Sequence, residues 1–69
     1  MRMLEANEIR LLREKLGLNQ TEFAARLGVS FFSVYRWETG ERHPRWDMMR
    51  KLNEMATEAG LKLPSAKAV

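Results

Sequence analysis

The side chains of this sequence best suited to chemistry gather in one short stretch, GVSFFSVYRWETGER, residues 28–42. It sets Arg36 close behind three aromatic residues, Phe31, Phe32 and Tyr35. A guanidinium is a rigid fork of donors that matches paired acceptors, and an aromatic ring offers a large apolar face. Together they suit recognition rather than bond breaking. No nucleophile–base constellation, metal-ligand spacing or phosphate-cradling glycine loop accompanies them, so an enzyme is not expected. Cysteine is absent, which excludes disulfides and thiolate metal sites, and the single His43 cannot build a zinc site alone. Neither a metal nor a cofactor is expected.

Charge adds direction. The formal net charge of +3 is weak evidence for a polyanionic partner by itself. Its placement says more: between Arg36 and Lys51, the basic residues Arg36, Arg42, Arg45, Arg50 and Lys51 face only Glu38, Glu41 and Asp47.

These residues must be positioned by a small scaffold. A chain of 69 residues makes one domain, near the lower limit for an independent core, and buries only about 60% of its unfolded surface. No apolar run approaches the roughly 18 residues that a membrane helix needs, and no signal peptide is visible. A cytoplasmic chain, complete or nearly so, with no membrane partner is expected.

No strand-like alternation is present, and glycines at 17, 28, 40 and 60 divide the sequence into short periodic segments. The first helix is predicted from about Asn7 to Leu16, with Ile9, Leu12 and Leu16 as its apolar stripe. The second is predicted over Gln20–Leu27, with Asn19 as N-cap and Glu22 completing a capping box. Ser30 caps a third, from Phe31 to about Glu38. Pro44 suits the first turn of a fourth, whose buried stripe is Trp46, Met49, Leu52, Ala56 and Ala59. Gly60 and Leu61 then form a glycine cap with its apolar follower. The domain is expected over 1–60, with a short loose tail over 61–69.

Only Gly28, Val29 and Ser30 separate the second and third helices, so the chain must turn a sharp corner there. Two short helices joined in this way are the helix-turn-helix pattern. Ala24 is small where the two cross, and Gly28 supplies the positive φ the corner needs. With Val34 set at 0° and about 100° per residue, Phe32 falls near 160° and Arg36 near 200°, away from the core. Tyr35 at about 100° and Phe31 at about 60° lie along one flank.

The run LGLNQTEFAARLGVS followed by Val34 and WETGER resembles the phage lambda repressor and Cro type of bacterial DNA-binding domain, called XRE-type. The likeness covers roughly residues 8 to 59. It implies an all-α fold of four or five helices with the third in the DNA major groove. It also implies roles for residues. Phe31, Phe32 and Arg36 match positions that reach base edges, with Tyr35 beside them on the outward face. Arg36 could grip the O6 and N7 of guanine, while the phenylalanines, which replace the amides often found there, could meet thymine methyl groups. Phe31 could equally tuck under the helix as extra core, and Phe32 could serve a protein contact. Gln20 matches a residue that bonds a phosphate and braces the recognition helix, beside the free amides of the second helix. Thr21, Ser30, Arg42 and Arg45 are expected on the DNA backbone, Arg45 near the minor groove, although a solvated loop charge is the other reading of each arginine. His43 is read as a solvated loop residue. Arg13 and Glu38 match a buried ion pair joining the first helix to the end of the third. Trp37 and Trp46 are expected in the core.

The function these features imply is a sequence-specific regulator that binds double-stranded DNA, with a repressor bound as a homodimer to a palindromic site as its specific form. Helix four and the tail, through Leu61 and Leu63, would supply the dimer surface. Nucleoid association would follow from DNA binding. The other reading is a module of the same fold, such as an antitoxin, whose main partner is a protein: a toxin or a larger regulatory chain.

Overall fold

Local chemistry sets most of the helix ends. Asn19 accepts the Glu22 amide on its Oδ1 at 2.7 Å, and Glu22 Oε1 takes the Asn19 N–H at 2.9 Å, closing a reciprocal capping box. The helix so begun ends at Gly28, which adopts φ +75°, while the amides of Gly28 and Val29 return to the carbonyls of Ala25 and Ala24. That left-handed turn is cheap only for glycine. Ser30 at once caps the next helix, its Oγ accepting from the Ser33 amide at 3.2 Å.

The computed structural model describes residues 3–61. It contains α1 (Ala6–Lys15), α2 (Gln20–Leu27), α3 (Phe31–Thr39) and α4 (Trp46–Glu58), with no strand among the described residues. This is the all-α architecture expected. The tail predicted over 61–69 lies, apart from Leu61, outside the described residues, and so does Leu63.

Packing follows the apolar stripes. Ile9 and Leu12 of α1, Phe23, Ala24 and Leu27 of α2, Val34 and Trp37 of α3, and Met49, Leu52 and Ala56 of α4 form one buried cluster. Each large member stabilises the fold by about 1.5–3 kcal/mol through burial. Contacts run between α2 and α3, α1 and α3, and α1 and α4. Leu61 packs against the same cluster, and its N–H bonds the Ala56 carbonyl at 3.0 Å.

Two helix starts differ from expectation. Helix α1 begins at Ala6 rather than Asn7, because the buried Glu8 carboxylate reaches back to the Glu5 N–H at 2.6 Å. The segment before it is anchored by Leu4, which is fully buried and donates its N–H to Met49 Sδ at 3.2 Å.

Helix α4 begins at Trp46, with Arg45 as N-cap, so Pro44 precedes the helix instead of occupying its first turn. Its ring is buried. Trp46 does not join the core either: it is 66% exposed. With Met49 at 0°, Leu52 and Ala56 cluster at about 300–340°, and Trp46 lies at about 60°, beyond the edge of that stripe. Its ring instead lies under the Arg50 guanidinium at 5.5 Å, a cation–π contact of roughly 0.5–1 kcal/mol at an exposed site. Trp37, by contrast, is buried as expected.

Candidate nucleic-acid interface

The site is built on α3, whose inner face carries Val34 and Trp37 and whose outer face therefore carries what lies between them. Phe32 is 61% exposed, Tyr35 47% and Phe31 39%. All three rings stand outside the core, which removes the reading of Phe31 as extra core.

The rings are not independent. Phe31 meets Phe32 edge to face at 5.6 Å and stacks on Tyr35 at 6.1 Å. The Arg36 guanidinium lies 5.9 Å from the centre of the Phe32 ring. Aromatic pairs in these geometries contribute about 0.5–1.5 kcal/mol beyond area burial, so the outer face of α3 is partly ordered before any partner arrives.

Beyond α3 the chain turns at Gly40, φ +83°, and the Arg36 carbonyl accepts the N–H groups of both Glu41 and Arg42. This winding brings Arg42, His43 and Arg45 back beside α3. With Ser33, Arg36, Trp37, Asp47 and Met48 they line a cleft of about 310 Å³. Among the described residues, the ion pairs join Arg10 and Arg13 to Glu38 and Arg50 to Glu54. Arg36, Arg42 and Arg45 take no carboxylate, so this side of the molecule keeps its positive charge available. His43 is exposed, as expected, but it helps to line the cleft.

The start of α2 lies against the last turn of α3, where Gln20 reaches Glu38, while the N-terminus of α3 begins at the corner. Gln20 and Thr21 open α2, and their amides have no intrahelical acceptor, as in any first turn. Thr21 and Ser30 are exposed. Ser30 is also engaged with Ser33, whose hydroxyl lies 3.3 Å from its own.

One carboxylate holds this face to the scaffold. Glu38 is 4% exposed, yet both of its oxygens are used. Arg13 donates Nε to Oε2 at 2.7 Å and Nη2 to Oε1 at 3.1 Å, and Gln20 donates Nε2 to Oε1 at 3.0 Å. Arg13 also donates Nη1 to the Leu18 carbonyl at 3.0 Å. Its guanidinium is pushed above the ordinary arginine value, mainly by the hydrogen bond to Glu38 and despite its burial. Arg10 adds a longer contact, Nε to Oε1 at 3.7 Å, and donates Nη2 to the Glu38 carbonyl at 3.4 Å. Thus α1 and the start of α2 both clamp the end of α3. Gln20 was expected to brace the third helix, but its acceptor, Glu38, and the part played by Arg10 were missed from sequence. The signal available for Arg10 was its place one turn before Arg13.

Among the described residues, no group of three His, Cys, Asp or Glu could hold a metal ion, and no helix is long and apolar enough to cross a membrane.

Comparison with known proteins agrees with this geometry. The model of a family described as helix-turn-helix matches residues 9–56. A protein of Pyrococcus furiosus, named as an HTH-type transcriptional regulatory protein, is 42% identical over 55 residues. That alignment takes in 80% of this chain but only 18% of the relative, so the chain spans less than a fifth of that protein's length. No solved structure gives a significant match. With a corner of three residues, glycine-closed helices and a family match over most of its length, this chain belongs to the XRE-type helix-turn-helix family of DNA-binding domains.

Proposed function

We propose that the chain reads double-stranded DNA in a sequence-specific way and serves a transcriptional regulator, acting as a repressor with two copies on a palindromic site. The observation that carries this reading is the outer face of α3. There Phe32, Tyr35 and Arg36 are exposed beside Arg42 and Arg45, which have no acidic partner among the described residues. A helix of this width fits the major groove of B-DNA.

In this arrangement Arg36 takes a guanine through its fork, and the phenylalanine rings cover thymine methyl groups. Gln20, Thr21, Ser30, Arg42 and Arg45 take phosphates. Such contacts fix register without reading sequence. Gln20 Nε2 carries a second hydrogen, so it can hold Glu38 and a phosphate together. The body measures 32 × 23 × 19 Å. Two copies therefore fit side by side at the spacing of about 34 Å between half-sites on one face of the duplex.

The test is selection of bound duplex from a random pool, repeated with Arg36→Ala. The parent should return a two-fold symmetric site, and the variant should relax preference at one position per half-site, a loss of about 1–3 kcal/mol in discrimination. Uniform weakening of all sequences would reduce Arg36 to a phosphate contact. A second reading, a module whose main partner is protein, is favoured by the exposed Phe32 ring. Indifference to every duplex at low salt would select it.

A further inference from the structure

We propose that the outer face of α3 reads the C5-methyl group of a pyrimidine in the base step adjoining the guanine held by Arg36. Thymine and 5-methylcytosine then serve alike at that position, and binding responds to cytosine methylation. This rests on the reading of α3 as the major-groove helix.

Apart from the exposed Tyr35 hydroxyl, which both donates and accepts and so suits either pyrimidine, the outer face offers little that could tell one pyrimidine from another. Residues 31–37 are FFSVYRW, with no amide and no carboxylate. Ser33 faces away from the rings, with its hydroxyl against Ser30. An adenine read by Asn or Gln, or a cytosine read by Asp or Glu, therefore has no counterpart in this stretch. A phenylalanine ring neither donates nor accepts a conventional hydrogen bond, so it is blind to the exchange of the thymine O4 acceptor for the cytosine N4 donor. What it gains from is the methyl group, which both thymine and 5-methylcytosine present at C5.

Geometry places the ring over the neighbouring step. The guanidinium of Arg36 is 5.9 Å from the Phe32 centroid, while successive bases on one strand rise by roughly 3.4 Å. That separation is less than two such rises, so a guanidinium seated on one guanine keeps the ring within reach of the adjoining base pair. Phe32 is braced there by Phe31, edge to face at 5.6 Å, which is itself stacked on Tyr35. Charge favours a polyanion as the occupant: among the described residues, Arg36, Arg42 and Arg45 have no carboxylate partner, and Asp47 is the one acid lining their cleft.

The experiment starts from a duplex selected by the parent chain. At each thymine adjoining a guanine, the pair is made T·A, U·A, C·G or 5-methylcytosine·G, and binding is titrated for the parent and for Phe32→Ala. One buried methyl is worth about fourfold in affinity. For the parent, T·A should exceed U·A, and 5-methylcytosine·G should exceed C·G, each by about that factor. Phe32→Ala, whose helix content is checked by circular dichroism, should bind the two members of each pair equally. Equal binding of T·A and U·A at every such position overturns the proposal. So does a methyl preference that survives in Phe32→Ala, or one that thymine shows and 5-methylcytosine does not. Failure to select any duplex at all would instead refute the proposed DNA reading beneath it.

Discussion

Glu38→Ala is the most informative single change in this molecule. The side chain is almost wholly enclosed and accepts three hydrogen bonds of 3.1 Å or less from Arg13 and Gln20. Its loss strands a guanidinium whose side chain is only 15% exposed. Breaking a buried pair costs about 3–5 kcal/mol. Arg13 keeps its bond to the Leu18 carbonyl and some access to water, so the lower end applies here: about 3 kcal/mol. The contribution of Arg10 is small, because its side chain is half exposed and solvent screens it. A domain of 69 residues has roughly 3–10 kcal/mol of stability in all, so the variant loses a third or more of it. In urea, with a slope near 1 kcal/mol per molar, the midpoint falls by about 3 M. The assay is urea unfolding followed by the fluorescence of Trp37, which is buried, against circular dichroism as a second probe. A paired variant, Arg13→Met with Glu38→Leu, removes both charges and should recover most of the loss, since apolar replacement of a whole buried pair is often neutral or better. A midpoint for Glu38→Ala within about 0.5 M of the parent, roughly the size of a surface substitution, would refute this account.

Four other changes separate structure from contact. Gly28→Ala meets no atom within 4 Å of the added carbon but must hold φ +75°, so it should cost about 1–2 kcal/mol from backbone strain alone, read as a fall in the urea midpoint with the fold kept. Ser30→Ala removes the α3 cap and should cost about 1 kcal/mol. If Ser30 also holds a phosphate, affinity for DNA falls beyond what the loss of folded protein explains. Arg42→Ala and Arg45→Ala should each weaken binding evenly across sequences and lower the slope of log K against log salt by about 1. An unchanged slope returns that arginine to the solvent.

Helices α2 and α3 were legible to the residue at their starts because their caps are local. Asn19, Glu22, Ser30 and Gly28 act on neighbours within three or four positions. The start of α4 was not legible. Proline is equally compatible with the first turn and with the residue before the cap, and the choice fell to burial of its ring. Trp46 misled for a related reason: three-residue spacing from Met49 fits an apolar stripe, but at a helix end the stripe has nothing further to cover. Leu4 was out of reach, since its place depends on Met49, 45 residues away. In the interface, the helical wheel gave the outward set on α3. That Gln20 braces the third helix came from the family resemblance, but its acceptor, Glu38, lies 18 residues away in that helix, a distance over which pattern alone carries no information.

The aromatic trio on α3 has a consequence for the free molecule. Three neighbouring rings form a sticky patch on a very small body, and such patches drive self-association. Only a modest excess positive charge, +3 in all, keeps like molecules apart, and added electrolyte weakens that repulsion. Electrolyte also loosens any grip on phosphates. Raising ionic strength to strip nucleic acid from the chain should therefore weaken the charge repulsion and uncover the rings together, and light scattering across a salt series, with and without duplex, would read the resulting self-association.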